Sequence, residues 1–333
     1  MKKILLYILI FVLISFAIPV VFTIKDKNNV IEKNIEIENK AENKIVSYDY
    51  KNYNTIKLLH TKDNTVEEIP LDEYLYGVVS AEMPASFEIE ALKAQAIVAR
   101  TYTIYKIENN NKKHEDADIC DNSACCQAWI SKEDRLARWE EKSQEENWNK
   151  IVDAVDSTKG KIITYEGNVI NAFFHSNSGG KTETTINVWG GDGYPYLQAV
   201  ATAGEDAYSQ YQSEVVLSKD EFIKKLKEKY IDFDIDFSKE DAIKVLEYTD
   251  SNRVKTIRIG NKELSGVEVR TIFGLKSANF KIDIENNEIR FEVLGYGHGV
   301  GMSQTGADSM AKQGSNAEEI IKHFYTGVEI VNI

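Results

Sequence analysis

The sequence is poor in the residues that mark several common classes of protein. It has 4 Pro and 19 Gly among 333 residues, so it is neither collagen-like nor a low-complexity chain. Its 3 Cys stand close together, at Cys120, Cys125 and Cys126, whereas a miniature fold stapled by disulfides needs spread-out pairs. No repeat with a period of roughly 20–50 residues is visible, which excludes a solenoid or a propeller.

Positive charge is also scarce. The chain has 40 Lys and Arg against 53 Asp and Glu, a formal net charge of −13. Proteins that follow nucleic-acid phosphates need basic patches, so this balance argues against nucleic-acid binding and against broad adhesion to anionic lipids or wall polymers. An anionic partner must therefore be held by a local site. With 43% apolar residues the chain can bury a real core, in one large domain or two modest ones.

The longest uncharged run lies near the N-terminus, after a short tail with two lysines. Residues 4–24 would form a helix about 30 Å long, enough to cross the hydrocarbon core. We predict a cytoplasmic tail at 1–3, a single-pass anchor in the cell membrane at 4–24, a polar spacer at 25–45 and an ectodomain outside the cytoplasm at 46–333. A cleaved signal peptide is the alternative, because Ser15-Phe16-Ala17 is a passable cleavage site.

Apolar periodicity predicts an α+β fold for the ectodomain, because helices and strands are interspersed without strict βαβ order. We expect a mixed α/β core lobe that carries the catalytic cleft, and a smaller accessory lobe at 205–292. The predicted elements are hairpins at 54–69 and 161–174, helices at 72–83, 87–106, 131–157, 218–230, 303–313 and 316–326, and a last strand at 328–333.

A carboxyl group stands on the apolar face of the first of these helices. Glu82 follows Val79, Val78 and Leu75 at intervals of three, four and seven residues, so it shares their face in the last turn. Desolvation and the negative end of the helix dipole both raise the pKa of a carboxyl group there. An acid that stays protonated near neutral pH is what general-acid catalysis needs. The alternative is a surface glutamate at a frayed helix end.

Basic side chains follow on the second predicted helix. Lys93 and Arg100 are seven residues apart and share a helix face. We expect the two cations to bind an acidic sugar substituent or to tune Glu82. Because they would lower the pKa of Glu82, the net shift of that pKa stays open. The alternative is a pair of solvated bases on an ordinary amphipathic helix.

The polar loop after that helix holds one histidine and all the cysteines. The spacing of His114, Cys120 and Cys126 suits a loop folded around zinc, and Cys125 would complete four N/S ligands, which is typical of a structural site. Adjacent cysteines are awkward ligands of one ion, so Cys125 is the weakest member of the set. A Cys120–Cys126 disulfide is the alternative.

Two glycine-bearing segments are further candidates for a binding site. Residues 172–182 superficially resemble a phosphate-binding loop, but His175 stands where the first glycine is required, so we reject nucleotide binding. A strand that ends in a tight polar turn suits cleft residues, and we expect His175 to bind substrate. Residues 295–307 alternate glycine with other residues, and their backbone amides and His298 are candidates for binding a sugar. A tight packing crossover is the alternative.

Taken in order, these segments resemble one family. They are similar to the stage II sporulation protein D family, which includes the amidase-enhancer proteins of bacterial walls. The resemblance covers about 46–333. The matching segments are Ser80–Pro84, Leu92–Tyr102, Cys126–Trp129, Ala172–Gly180, Tyr194–Leu197, Gly297–Gly314 and Ile320–Gly327.

The resemblance implies a peptidoglycan lytic transglycosylase that acts in septal wall remodelling and engulfment during sporulation. Such an enzyme cleaves peptide-stripped glycan strands between N-acetylmuramic acid and N-acetylglucosamine and leaves 1,6-anhydro ends. Its single catalytic carboxylate would be Glu82. Lys93 and Arg100 match basic positions linked to activity or glycan binding, and Tyr196 matches a cleft tyrosine.

The resemblance also implies a metal and partners. Some members of the family carry zinc through His and Cys residues that match His114, Cys120 and Cys126. The implied partners are stage II sporulation protein P, an amidase and endopeptidase, and stage II sporulation protein M, a membrane scaffold. The implied place is the mother-cell membrane facing the forespore septum.

The residues themselves are consistent with a mechanism that uses a single catalytic carboxyl group. Ordinary glycosidases use a second carboxyl group to activate water or to attack the sugar, and the sequence offers one strong acid candidate. One acid suffices if the muramyl 6-hydroxyl is the nucleophile. Two rivals remain: a zinc hydrolase that cuts an amide, and a non-catalytic wall-binding module that activates a partner amidase.

Overall fold

The computed structural model describes residues 48–109 and 114–333. Within these ranges the chain is an α+β protein, as predicted, built of short helices and small sheets. The helices are α1 Leu71–Glu82, α2 Ile89–Glu108, α3 Lys132–Leu136, α4 Glu141–Asp156, α5 Thr185–Trp189, α6 Lys219–Lys229, α7 Gly266–Phe273, α8 Gln304–Lys312 and α9 Ala317–Phe324, with 3₁₀ turns at Tyr50–Tyr53 and Glu205–Ala207. The strands are β1 Thr55–His60, β2 Thr65–Pro70, β3 Ile119–Cys120, β4 Lys161–Tyr165, β5 Asn168–Val169, β6 Phe174–His175, β7 Gln212–Ser218, β8 Ile243–Tyr248, β9 Val254–Ile259, β10 Lys262–Ser265, β11 Phe280–Glu285, β12 Glu288–Leu294, β13 Met302–Ser303 and β14 Glu329–Asn332.

The sheets join segments that lie far apart in the chain. β1 pairs antiparallel with β2 and parallel with β3, and β14 returns to pair with β4 beside β5. β6 and β13 form a short parallel pair in which Phe174 lies opposite Met302 and His175 opposite Ser303. This pairing brings the polar turn after β6 next to the start of α8.

The larger hydrophobic core surrounds α2. Leu75, Val78 and Val79 of α1 are fully buried against it. From Ala91 to Ile104 every residue of α2 except Lys93 is buried. A helix that is apolar or small on all sides lies at the centre of its domain, and the alanines of α2 let neighbouring helices approach closely.

A second hydrophobic cluster lies in the later part of the chain. It runs in sequence from Phe222 to Val293 and is rich in aromatic side chains, with Phe222 and Phe273 stacked at 4.8 Å between ring centroids. Two three-stranded sheets, β10-β9-β8 and β11-β12-β7, build it together with α6 and α7. The segment predicted as an accessory lobe, 205–292, contains nearly all of these residues, and its boundaries stay a prediction.

Several predicted element boundaries differ from the structure. Helix α1 begins at Leu71 behind Pro70, and the Asp72 carboxylate receives the Tyr50 hydroxyl and the Lys159 ammonium, 2.8 Å away, instead of capping the helix. The predicted helix at 131–157 is broken into α3 and α4. The second strand of the predicted hairpin at 161–174 ends at Val169, and the later residues pair elsewhere.

The predicted localisation needs correction. In residues 48–109 and 114–333 no helix is both long and apolar enough to cross a membrane. The predicted tail at 1–3, anchor at 4–24 and spacer at 25–45 lie outside the described residues. The single-pass localisation with an ectodomain at the mother-cell membrane is therefore not assigned to this chain.

Candidate active site

A cleft of ≈ 750 Å³ opens at the C-terminal end of α1. Its floor and walls come from the larger core, and one wall includes Arg270 of α7. Three loop segments line most of the remainder: Ser123–Cys126 with Ala128, Phe173–Ser176, and Tyr296–His298 with Gln304. The cleft therefore gathers four of the segments that the sequence singled out.

Glu82 is the only Asp or Glu among the described residues that line this cleft. It is half-buried at the last position of α1, below the fully buried Val78 and Val79. Burial raises the pKa of Glu82, and hydrogen bonds from the Ala128 backbone and from Gln304 oppose that rise without cancelling it. The shift of the Glu82 pKa, whose sign the sequence left open, is therefore upward, and neither predicted cation is among its causes.

Each of the two donors holds a different oxygen of the carboxyl group. The Ala128 N–H donates to Oε1 at 2.7 Å, and the Gln304 side-chain amide donates to Oε2 at 3.2 Å. With both oxygens held in this way, the rotation of the carboxyl group is fixed. Fixed orientation is what a proton donor needs in order to meet a bound substrate.

The Ala128 loop is itself fastened to the helices beneath it. Gln127 is fully buried, and its amide donates at 3.1 Å to the Tyr74 hydroxyl of α1 and at 3.1 Å to Thr103 of α2. The next anchor is Trp129, which packs so closely on Gly77 that a Cβ there would lie 2.2 Å from the indole nitrogen. A side chain at position 77 would therefore displace the loop that holds Glu82.

Gln304 is placed by the β6–β13 pair and the glycine-rich segment before it. Gly301 has φ +70°, and a Cβ on it would lie 1.9 Å from the carbonyl oxygen of Phe173, so only glycine fits. Ser303 caps α8 by accepting from the Gly306 N–H at 3.2 Å. The segment 295–307 therefore packs tightly, as the alternative interpretation had it, and also contributes residues to the cleft.

A buried carboxylate that the sequence analysis missed supports this start of α8. Glu205 is 1% exposed and accepts from the backbone N–H groups of Ser178 at 2.9 Å and Gly180 at 3.0 Å. The hydroxyls of Thr202 and Ser303 also donate to it. These donors hold the pKa of Glu205 below its usual value despite burial. Glu205 lies outside the cleft lining and connects the turn after β6 to the residue before Gln304.

The predicted binding residues His175 and His298 both line the cleft, with 5.7 Å between ring centroids. Burial, reinforced by the charge of Arg253, lowers the pKa of His175 to about 3, and burial likewise lowers the pKa of His298. Both rings are therefore neutral near pH 7. His175 Nδ1 lies 3.1 Å from the Val300 carbonyl oxygen, which makes Nδ1 the donor and leaves Nε2 as a buried acceptor without a partner among the described residues.

The predicted cations Lys93 and Arg100 lie away from the cleft. Lys93 forms an ion pair with Glu90 at 2.7 Å. Arg100 is fully buried, and its guanidinium donates to the carbonyls of Thr158 at 2.8 Å and Val155 at 3.2 Å. Arg100 therefore points into the protein and ties α2 to the end of α4, whereas Lys93 is the one residue between Ala91 and Ile104 that is not buried.

The predicted cleft tyrosine also lies outside the lining. Tyr196 is 6% exposed, and its hydroxyl accepts from the Asn171 N–H at 3.0 Å. Its ring packs on Tyr165 and Tyr194, at 5.6 Å and 5.4 Å between centroids. In this arrangement Tyr196 supports the segment that leads into β6.

The predicted metal ligands come together beside the cleft. One ligand atom from each of His114, Cys120, Cys125 and Cys126 lies within 4.8 Å of the others. His114 Nε2 is 3.3 Å from Cys125 Sγ and 3.6 Å from Cys126 Sγ, and the two sulfurs are 3.7 Å apart. Tetrahedral zinc with Zn–S of about 2.3 Å and Zn–N of about 2.0–2.1 Å requires S···S near ~3.8 Å and S···N near ~3.6 Å.

This spacing fits a four-ligand zinc site of the structural kind. Cys120 and Cys126 carry free thiols, so the alternative Cys120–Cys126 disulfide is not formed. Cys125, the least expected ligand, belongs to the group and also lines the cleft. Because Ala128 follows two residues after Cys126, the order of this loop bears directly on Glu82.

Three cleft residues carried no recognised signal in the sequence. Trp189 is 51% exposed and packs on Phe173 and His298, at 4.8 Å and 5.1 Å between ring centroids. Tyr296 is 44% exposed, and Arg270 comes from the second hydrophobic cluster. An aromatic surface beside polar groups suits a carbohydrate, because sugar rings present apolar C–H faces and hydroxyl edges.

The fold and the cleft define an α+β protein with a candidate acid–base site built on one carboxyl group. Comparisons with known proteins identify the family. The family model described as SpoIID, stage II sporulation protein, matches residues 60–165. Stage II sporulation protein D of Bacillus subtilis (strain 168) is 37% identical over 277 residues, which cover 83% of this chain and 78% of that protein.

Further relatives give the same result. Stage II sporulation protein D of Bacillus amyloliquefaciens is 36% identical over 278 residues, covering 83% of this chain and 78% of that protein. The amidase enhancer of Bacillus subtilis (strain 168) is 28% identical over 309 residues, covering 78% of this chain and 40% of that protein. The chain belongs to the stage II sporulation protein D family, and the resemblance seen in the sequence is confirmed.

Proposed function

We propose that the protein is a lytic transglycosylase of peptidoglycan that acts during sporulation, in septal wall remodelling and engulfment. The observation that carries the proposal is the lone, half-buried Glu82 with a raised pKa in a cleft bordered by aromatic side chains. An ordinary glycosidase would need a second carboxyl group, and no other Asp or Glu lines the described cleft. One acid suffices when the substrate carries its own nucleophile.

In the proposed mechanism, protonated Glu82 donates its proton to the glycosidic oxygen between N-acetylmuramic acid and N-acetylglucosamine. The C1–O bond breaks as the leaving sugar accepts that proton. The Glu82 carboxylate then removes the proton of the muramyl 6-hydroxyl, whose oxygen bonds to C1 and gives a 1,6-anhydro end. No water is consumed, and Glu82 ends the cycle protonated.

The remaining cleft residues bind and orient the glycan in this proposal. The neutral His175 and His298 offer hydrogen bonds to hydroxyl or N-acetyl groups without placing charge beside the acid. The exposed indole of Trp189 offers a stacking surface. Lys93, Arg100 and Tyr196 would act on the reaction only through the packing of the core.

The test is mass spectrometry of products from peptide-free glycan strands incubated with the purified protein. We expect 1,6-anhydro-ended fragments from the wild type and a loss of rate of about 10²–10⁴-fold for Glu82→Gln, the usual contribution of a general acid. Glu73→Gln, on the same helix but outside the cleft lining, is the matched control and should cleave at the wild-type rate. Hydrolysed reducing ends in place of anhydro ends would contradict the mechanism.

We further propose that the loop of His114, Cys120, Cys125 and Cys126 holds a structural Zn²⁺ through these four side chains. When bound, the ion ties the loop together and takes no part in bond breaking. Metal analysis of the purified protein should give one zinc per chain, and Cys126→Ser should lose it. A chelator should lower the melting temperature of the wild type and leave that of Cys126→Ser unchanged.

A second candidate function is activation of a partner amidase without catalysis. The similarity to an amidase enhancer favours it. The partners we propose are peptidoglycan strands and the stage II sporulation proteins P and M. Stimulation of an amidase that is equal for wild type and Glu82→Gln would support the activator, whereas stimulation that needs Glu82 would support the transglycosylase.

A further inference from the structure

The cleft contains one fixed positive charge. Among the described residues that line it, Arg270 is the only Lys or Arg. In a chain with a net charge of −13, a lone positive charge in a cleft provides a local site of attraction for an anion. The cations expected from the sequence to bind an acidic group, Lys93 and Arg100, point elsewhere.

The guanidinium of Arg270 is not neutralised within the protein. Its one hydrogen bond runs from Nε to the Leu275 carbonyl at 3.4 Å, and no described carboxylate forms an ion pair with it. Arg253, the other cation nearby, is 3% exposed, and its two terminal nitrogens donate to the carbonyls of Lys181 at 2.9 Å and Ser178 at 2.8 Å. A half-buried cation without a counter-ion gains most when an anion enters the site.

The backbone that carries Arg270 is held rigidly. Helix α7 begins with a capping box between Ser265 and Glu268 and ends at Gly274 in the left-handed conformation. The N–H of Leu275 donates to the Arg270 carbonyl at 2.9 Å. The Lys276 carbonyl then accepts from the Gly297 N–H at 2.9 Å, which attaches this helix end to the cleft segment that includes His298. Arg270 is therefore pre-organised toward the cleft rather than free on a loop.

We propose that Arg270 is a carboxylate-binding subsite of the cleft, which recognises the lactyl carboxylate of N-acetylmuramic acid and thereby accounts for the preference for peptide-stripped glycan that the family resemblance implies. The inference rests on the proposed function for its substrate. A stem peptide is joined to the lactyl group through an amide, which is neutral. Hydrolysis of that amide adds water and releases an amine and a carboxylate, and the planar guanidinium binds a carboxylate through two parallel hydrogen bonds.

The experiment compares two probes that differ at one group. Peptide-free glycan strands carry free lactyl carboxylates, and the same strands coupled to ammonia with a carbodiimide carry neutral amides. Dissociation constants are measured on the full chain with Glu82→Gln, so that neither probe is cut. We expect the free-carboxylate strand to bind about 10–100-fold more tightly, as for hydrogen bonds to a charged group, and Arg270→Gln to bind both strands equally.

Two further variants make the test specific. Lys276→Gln removes a nearby cation that stacks on Tyr296, 5.1 Å from the ring centroid, but does not line the cleft, and it should keep the preference. Arg270→Lys keeps the charge without the planar fork and should keep part of it. Equal binding of both strands by the protein with native Arg270 would overturn the proposal, and this result needs no variant at position 270. The proposal is also overturned if Lys276→Gln abolishes the preference as fully as Arg270→Gln does. If the wild type binds the free-carboxylate strand more tightly but never cleaves glycan, the proposed transglycosylase activity is refuted and the proposed carboxylate-binding subsite is retained.

Discussion

Replacing Gln304 by leucine is expected to raise the pKa of Glu82. The Gln304 amide donates to Glu82 Oε2 at 3.2 Å and stabilises the charged carboxylate. A hydrogen bond to a charged group contributes about 1.5–3 kcal/mol. Because 3.2 Å is at the long end of the N–H···O range, we take the weaker value, which corresponds to about one pKa unit. The leucine side chain adds apolar surroundings, which act in the same direction.

The shift can be measured without any assay of activity. The pKa of Glu82 in the folded protein lies above its ordinary value of 4.5, so folding favours the protonated form. That stabilisation is complete below pH 4.5 and is lost as the pH rises through the folded pKa. The difference in unfolding free energy between wild type and Glu82→Gln, measured in urea across this pH range, therefore falls over a window whose upper end is the pKa of Glu82.

With Gln304→Leu, the upper end of this window should move up by about one pH unit, and the total loss should grow by about 1.4 kcal/mol. Gln313→Leu, at the far end of α8, is the matched control and should leave the window in place. In the Glu82→Gln background, Gln304→Leu should cause no pH-dependent change. A window that stays fixed or moves to lower pH would refute the assignment of Gln304. If the protein cleaves glycan, the alkaline limb of its rate profile should move with the window.

Other variants test the supports of the site. Glu205→Ala should lower the free energy of unfolding in urea by about 3–5 kcal/mol, because it leaves several buried donors without an acceptor. Since the pKa of Glu205 is lowered in the folded protein, the difference from wild type should shrink as the pH falls below 4.5. A difference that does not depend on pH would contradict the reasoning. Gly77→Ala should lower the free energy of unfolding by about 1–3 kcal/mol and change the fluorescence of Trp129. Unchanged stability would mean that the loop carrying Trp129 can move away from position 77 without cost. Arg100→Ala should lower the unfolding free energy by about 3–5 kcal/mol and leave the glycan dissociation constant of the folded fraction unchanged, whereas a weaker affinity at full stability would restore its predicted role in binding.

Local sequence pattern was enough to find the candidate acid. The positions of Leu75, Val78 and Val79 fix one buried face of α1, and Glu82 extends that face. The direction of its pKa shift could not be fixed, because it depends on groups far away in sequence. Gln304 is neutral and carries no titratable signature, so its place within a glycine-rich segment gave no hint of its partner.

Helix periodicity misplaced the cations for a definite reason. It shows that Lys93 and Arg100 share a face, but in a helix buried on nearly every side no face is the solvent face by default. The Arg100 guanidinium donates to carbonyl oxygens at the end of another helix and lies 3.9 Å from the Asp72 carboxylate, and no local pattern encodes these contacts. Arg270 was missed because it reaches the cleft from the other hydrophobic cluster.

The candidate metal ligands were predicted from their spacing and from the family resemblance, and the structure brings all four together. Spacing could not choose between a disulfide and an ion, because both draw the same residues close. The structure does distinguish them, since Cys120 and Cys126 both carry free thiols and form no S–S bond.

The two donors to Glu82 have a consequence for the newly made protein. Ala128 follows the acid by 46 residues and Gln304 by 222, so the ribosome delivers the last part of the site long after the first. At about 5–20 residues per second, on the order of 10–40 s separate the synthesis of Glu82 from that of Gln304. A nascent chain therefore holds Glu82 without the group that orients it, and any glycan cleavage that depends on Glu82 would begin only when synthesis is nearly complete.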